Sequence, residues 1–272
     1  MEINGEFRRP ERKLPDAADP ALRIEAASIS FGGIRALSEV SFSVPQSGFT
    51  AVIGPNGAGK TTLFNLICGF CRGAGEILKD GARIDPLPAH ARAGLGIGRT
   101  FQTPTLIDGE SALHNIMLGS NPLLSSGVFS SFFSMPKARR EERRARERAE
   151  ELLEHFGLGP VGSSPAGDLP HRQRRLIEIA RSLAGDPTVL LLDEPAAGSH
   201  HSEAVIMLEQ VAGYCAAQGI AVVLVEHNVQ LVMQFAEDVV VLNFGELLAH
   251  GAPAVVKKDP RVISAYLGEE AA

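Results

Sequence analysis

A chain of 272 residues, 44% of them hydrophobic and 21% charged, can build a sizeable core as one large domain or two small ones. Its formal net charge of −6 weighs against generic nucleic-acid binding. No apolar run approaches the ~18–20 residues that a membrane span needs, and Met1 to Pro20 is polar with no apolar signal region. Residues 1–20 therefore read as a disordered extension, and the chain as cytosolic, touching membrane only through a partner.

Residues 22–53 alternate apolar and polar, with Gly32, Gly33 and Gly48 at turns, which predicts short antiparallel strands leading into Thr50-Ala51-Val52-Ile53. The run Gly54-Pro55-Asn56-Gly57-Ala58-Gly59-Lys60-Thr61-Thr62 follows, and then the helical-looking Thr62–Ile67. Strand, Gly-rich loop and helix with GxxxxGK[ST] at the joint predict a nucleoside triphosphate site, where a chance Gly-rich turn would lack that context. Glycines let backbone N–H groups converge on phosphate oxygens, and the helix N-terminus adds to the pull on the anion. Lys60 can reach the β- and γ-phosphates, and Thr61 can place its hydroxyl on Mg²⁺. Cys68 and Cys71 form a CxxC inside that helix, with Cys215 far away. A zinc site would need a second pair, so the three read as reduced, partly buried thiols.

From about 105 to 165 the character changes. Gly119 to Ser134 is rich in Ser, Gly and Phe, and Lys137 to Phe156 reads as a charged helix. Glu142/Arg146 and Arg143/Glu147 are four apart and would pair on its face. Its basic half could serve as a nucleic-acid patch, but the alternating signs favour a solvated helix. Regular α/β character returns near 172. Val189-Leu190-Leu191-Leu192 and Ala221–Val225 are apolar runs suited to strands buried on both faces of a parallel sheet. Asp238 to Gly251 reads as a hairpin turning at Asn243-Phe244-Gly245. The layout is one domain over 21–272, a nucleotide-binding core interrupted by a helical insertion at about 95–170.

Asp193-Glu194 closes the apolar strand with two carboxylates, which at that strand end would lie beside the phosphate loop. Asp193 can hold Mg²⁺, directly or through water, and Glu194 can polarise the attacking water as a general base. On these residues the chain resembles the ATP-binding subunits of ABC transporters over nearly all of its length after residue 21. The resemblance implies an α/β fold, an ABC-type P-loop ATPase core with an antiparallel β subdomain and an inserted helical subdomain. It implies ATP and Mg²⁺ as ligands. Gln102, in Arg99-Thr100-Phe101-Gln102, is similar to the family's glutamine that reaches Mg²⁺ and the attacking water. His227, in Val225-Glu226-His227-Asn228, is similar to the switch histidine that senses the γ-phosphate, and Phe31 to the aromatic that stacks on adenine. Taken alone, Gln102 could be a surface polar residue and His227 a structural one, and stacking by Phe31 needs only a π-face.

The segments Arg99–Gln102, Pro136–Leu158, Asp193–Gly198 and Val262–Gly268 are most similar to the ATPases of branched-chain amino-acid importers. That implies two transmembrane permease subunits, a second related ATPase, an indirect periplasmic solute-binding protein, no nucleic acid, and a place on the cytoplasmic face of the inner membrane. The cargo would be a branched-chain amino acid or another small polar solute. Two places depart from the family. Leu169-Pro170-His171-Arg172-Gln173 stands where the signature reads Leu-Ser-Gly-Gly-Gln, and Ser199-His200 where Leu-Asp or Leu-Asn is usual. Both would serve a nucleotide bound by the partner, which implies an asymmetric heterodimer with one weak site. Arg172 could instead act as an arginine finger, or point to solvent. The rival functions are a non-transport ABC ATPase and a largely non-catalytic ATP-binding subunit.

Overall fold

Two strands end in the chemistry-bearing residues, and every side chain of both is buried: Val189–Asp193 and Ala221–Val225. The computed structural model that shows this describes residues 19–102, 105–123 and 135–267. The expected disordered extension lies outside the described residues, apart from Asp19 and Pro20, as does most of the Ser- and Phe-rich stretch before the charged helix.

In chain order the elements are β1 (Leu22–Phe31), β2 (Ile34–Val44), β3 (Gly48–Ile53), α1 (Lys60–Cys68), β4 (Ala74–Lys79), β5 (Ala82–Arg83), α2 (Ala89–Gly94) and β6 (Ile97–Arg99). Then come α3 (Ala112–Met117), α4 (Met135–His155), α5 (His171–Ala184), β7 (Val189–Asp193), α6 (His201–Gln218), β8 (Ala221–Val225) and α7 (Val229–Phe235). β9 (Asp238–Asn243), β10 (Glu246–Gly251), α8 (Pro253–Val256) and α9 (Pro260–Leu267) follow.

The strands form two sheets. A four-stranded antiparallel sheet has the order β2-β1-β4-β5, and a six-stranded sheet the order β10-β9-β3-β8-β7-β6. In the second sheet β9, β3, β8, β7 and β6 run parallel, and β10 pairs antiparallel at the edge. β1 and β2 are 10 and 11 residues long rather than short. Bulges bend them without ending them, with Ala26 and Glu39 at φ 49° and 52°. β6 belongs to the parallel sheet although residues 97–99 fall where the helical insertion was expected to begin.

Side chains alternate across the parallel sheet, so its two faces feed two cores. Val189, Leu191, Val223 and Val225 pack with α1 and the antiparallel sheet. Leu190, Leu192, Val222 and Leu224 pack with α4, α5 and α6. α4 presents Ala145, Ala149, Leu152 and Leu153 inward. Its ion pairs, Arg146–Glu150 at 4.0 Å and Arg148–Glu151 at 3.4 Å, are in a different register from the expected ones. Arg148 also makes tertiary contacts, its guanidinium lying 5.5 Å over the Tyr214 ring and 4.0 Å from Asp186.

Cys71 lies beyond the end of α1, because Gly69 at φ 78° terminates the helix one residue after Cys68. All three cysteines are free. Burial pushes the Cys68 thiol up to about 11 and the Cys215 thiol up to about 12, so neither is a ready nucleophile.

Candidate active site

The phosphate loop is held open by its own backbone and by the neighbouring strands. Gly54 has φ 151°, and a Cβ there would overlap the Leu242 carbonyl oxygen of β9. Gly59 has φ 104°, and a Cβ there would stand 2.6 Å from the Ala36 carbonyl oxygen of β2. Only glycine fits either place. Gly245 donates its N–H to the Ala58 carbonyl at 3.0 Å, which ties the loop to the β9–β10 turn. Lys60 opens α1 and folds back over the loop, its Nζ donating to the carbonyls of Gly54 at 2.6 Å and Pro55 at 2.9 Å. Thr61 is exposed on the first turn of α1 and Thr62 half-buried.

Three of the expected residues converge at the ends of neighbouring strands. Glu194 follows β7 and adopts φ 47°, an uncommon conformation for a side chain of this kind, with its N–H donated to the Val225 carbonyl at 2.9 Å. Its Oε2 accepts from Gln102 Nε2 at 3.0 Å and its Oε1 lies 2.7 Å from His227 Nε2. Glu194 is 16% exposed and His227 43%, so the carboxylate is sheltered while the imidazole faces outward. Asn228 accepts from the N–H groups of Gln230 and Leu231, capping α7 and fixing the turn that carries His227. Phe31 takes no part in this group; it closes β1 at the tip of the β1–β2 hairpin, 54% exposed.

Asp193 is buried, and its Oδ2 accepts from Arg99 Nη2 at 2.9 Å. The other arm of Arg99 donates to Asn65 Oδ1 of α1 at 2.7 Å. Its plane lies 5.1 to 5.8 Å from the rings of Phe64, Phe70 and Phe101. Arg99 thus links α1, the Gln102 segment and Asp193. A group of three or more His, Cys, Asp or Glu side chains fit for a metal is absent among the described residues. The hydroxyl of Thr61, the amide of Gln102 and the carboxylate of Asp193 are hard oxygen donors, the chemistry that suits Mg²⁺ shared with phosphates.

Sequence reasoning missed the charged residues that hold these turns. Arg175 of α5 is buried and donates to the carbonyls of Phe101 at 2.5 Å, Asp193 at 2.8 Å, Glu194 at 2.6 Å and Pro195 at 3.3 Å. It also pairs with Glu178 Oε2 at 2.8 Å, while Glu178 Oε1 accepts the Phe101 N–H at 3.0 Å. One ion pair therefore grips both the Gln102 segment and the Glu194 turn. Glu226 does the same between Glu194 and His227, accepting from Ala196 N at 2.9 Å and His227 N at 3.2 Å. The signal available was the i,i+3 spacing of Arg175 and Glu178 on an otherwise apolar helix face. Arg172 stands in the first turn of α5, half-buried, with its Nε buried and without a hydrogen-bond partner.

Comparison with known proteins identifies the family. Residues 37–197 match the family model for ABC transporters, and residues 246–272 the model for the branched-chain amino acid ATP-binding cassette transporter. The chain is 38% identical over 251 residues to the high-affinity branched-chain amino acid transport ATP-binding protein BraF of Pseudomonas aeruginosa, covering 92% of this chain and 98% of that protein. It is 35% identical over 253 residues to LivG of Escherichia coli, of the same description, covering 93% and 99%. Among solved structures, the ADP conformation of an ATP-binding cassette of an ABC transporter superposes with a TM-score of 0.79 at 32% identity, over 91% of this chain and 98% of that one. With a phosphate loop, a strand-end carboxylate pair and relatives matched nearly end to end, the chain belongs to the ABC transporter family, among its ATP-binding subunits.

Proposed function

We propose that this chain hydrolyses ATP to drive a membrane importer of branched-chain amino acids or a related small polar solute. The observation that carries the reading is Glu194 held between Gln102 and His227, at 3.0 Å and 2.7 Å, on the strand end beside the phosphate loop. Glu194 is the general base: its sheltered carboxylate takes a proton from the attacking water as the γ-phosphate is cleaved. Gln102 orients that water, and His227 hydrogen-bonds the γ-phosphate. The backbone from Gly54 to Thr62 and Lys60 bind the phosphates, and Phe31 stacks on adenine. Thr61, Gln102 and Asp193 would hold Mg²⁺, which when bound neutralises charge between the β- and γ-phosphates.

Residues 21–272 are read as one ABC ATPase domain carrying a helical insertion. No described helix is long and apolar enough to cross a membrane, so membrane attachment falls to other subunits. Two permeases, a second related ATPase and, indirectly, a periplasmic binding protein complete the assembly on the cytoplasmic face of the inner membrane. A 430 Å³ groove bordered by Arg99, Phe101, Leu118 and Arg181 lies next to Gln102 and supports docking of a permease helix there. The test is ATP turnover by the assembled complex with Glu194→Gln, expected to fall by roughly 10²–10⁴-fold. Turnover left nearly intact would sink the assignment.

Arg172 favours a more specific reading of the dimer. This chain's phosphate loop is intact while its signature is not, so its own site hydrolyses ATP and the site built on the partner's phosphate loop is weak.

A further inference from the structure

Glu226 directly follows β8, at the point where a parallel strand leaves the core, and its side chain turns inward rather than toward solvent, leaving the residue 5% exposed. A buried carboxyl is costly unless donors satisfy it. Here backbone N–H groups on two different turns donate to it. Oε1 takes the N–H of Ala196, two residues after Glu194, and Oε2 takes the N–H of His227 itself. Glu194, His201 and His227 line the same cavity of about 270 Å³ as Glu226. Burial pushes the Glu226 carboxyl above its usual range, and the nearby Glu194 adds to the rise, so the group is kept at a cost that an apolar residue would avoid.

The two turns it joins are those whose side chains meet as Glu194 Oε1 and His227 Nε2 at 2.7 Å. Strand pairing alone sets only one side of that meeting, through the Glu194 N–H on the Val225 carbonyl. The Asp193–Pro195 carbonyls are held from the opposite side by Arg175, and the residues after His227 by the Asn228 cap. Among the described residues, Glu226 is the side chain that accepts backbone N–H groups from both turns.

We infer that Glu226 is a positioning residue for hydrolysis, bracing the Glu194 and His227 turns so that base and imidazole stay aligned on the attacked phosphate. The inference rests on the reading of Glu194 as the base. Misplacement by about 1 Å costs on the order of 100-fold in rate, so Glu226→Ala in the assembled transporter should lower kcat by about 10–100-fold. KM for ATP and nucleotide binding to the phosphate loop should stay as they are, because Glu226 touches neither. Glu226→Gln keeps the shape and one acceptor oxygen, and should fall between.

The deciding measurement is a double-mutant cycle with His227→Ala, alongside melting curves for each variant. In the His227→Ala background, Glu226→Ala should cost less than it does in the unsubstituted chain, since one of the two partners it aligns is gone and only the Glu194 turn is left to misplace. Losses that multiply in full, nucleotide affinity that falls with kcat, or Glu226→Gln and Glu226→Ala both turning over normally would overturn the inference. Failure of the Glu194 reading is separable: there Glu194→Gln itself retains turnover, whatever the Glu226 variants do.

Discussion

Arg175→Met places a test on the grip between α5 and the catalytic turns. The guanidinium is buried, and four carbonyls and the Glu178 carboxylate depend on it. Methionine fills most of the volume but donates nothing. Glu178, 1% exposed, would then keep the Phe101 N–H and the more distant charge of Arg181 against the desolvation of its own. Breaking a buried pair from one side costs about 3–5 kcal/mol. At about 2–4 °C per kcal/mol for a chain of this size, Tm should drop by roughly 6–20 °C. The companion is Arg175→Met with Glu178→Met, which removes the stranded charge and should recover a large part of the loss. Calorimetry or denaturant unfolding of the purified chain reads both, and ATP turnover of the assembled complex should stay low in the double variant, because the Gln102 segment and the Glu194 turn remain untethered. A single-variant loss below about 1 kcal/mol would mean that water replaces the guanidinium at its carbonyls, and a double variant no more stable than the single one would refute the stranded-charge argument.

Gly54→Ala should cost about 1–3 kcal/mol and abolish tight ATP binding by calorimetric titration, because its Cβ would meet the Leu242 backbone and force the loop to move. Arg172→Gly in the assembled complex should raise total turnover by at most about the contribution of one site, roughly twofold, if the signature is merely obstructed; Arg172→Ala should not lower turnover in that case and should lower it if the guanidinium acts as a finger. The raised Glu226 carboxyl gives a stability contribution that is complete below its unfolded value of about 4.3 and is lost as pH rises through the folded one. The Tm of Glu226→Gln relative to the unsubstituted chain should therefore shift in the variant's favour as pH rises from about 4, and a difference flat with pH would refute the burial argument.

How much was legible in advance followed from how local each signal is. The signal of the phosphate loop lies within about ten residues, so strand, glycines and Lys60 announce it in sequence, although Leu242, Ala36 and Gly245 help to hold it. The two central strands were equally plain, since burial on both faces demands unbroken apolar runs. Glu194 was legible as a carboxylate at the end of an apolar strand, whereas Gln102 and His227 were named by resemblance, and the meeting of the three at 3.0 Å and 2.7 Å spans 92 and 33 residues. Arg174 and Arg175 show where sequence stops. They are adjacent on one helix, yet Arg174 pairs with Asp108 at the surface and Arg175 is buried on four carbonyls.

By itself, then, the sequence determined the nucleotide loop, the parallel core and the carboxylates at its edge, because those are written in short-range pattern and alternation. Tertiary structure alone decided that Arg99, Arg175, Glu178 and Glu226 turn inward. Arg175, Glu178 and Glu226 are held largely by backbone carbonyls and N–H groups of other turns, and Arg99 by Asp193 and Asn65 far along the chain; a backbone group carries no residue identity for a sequence to display.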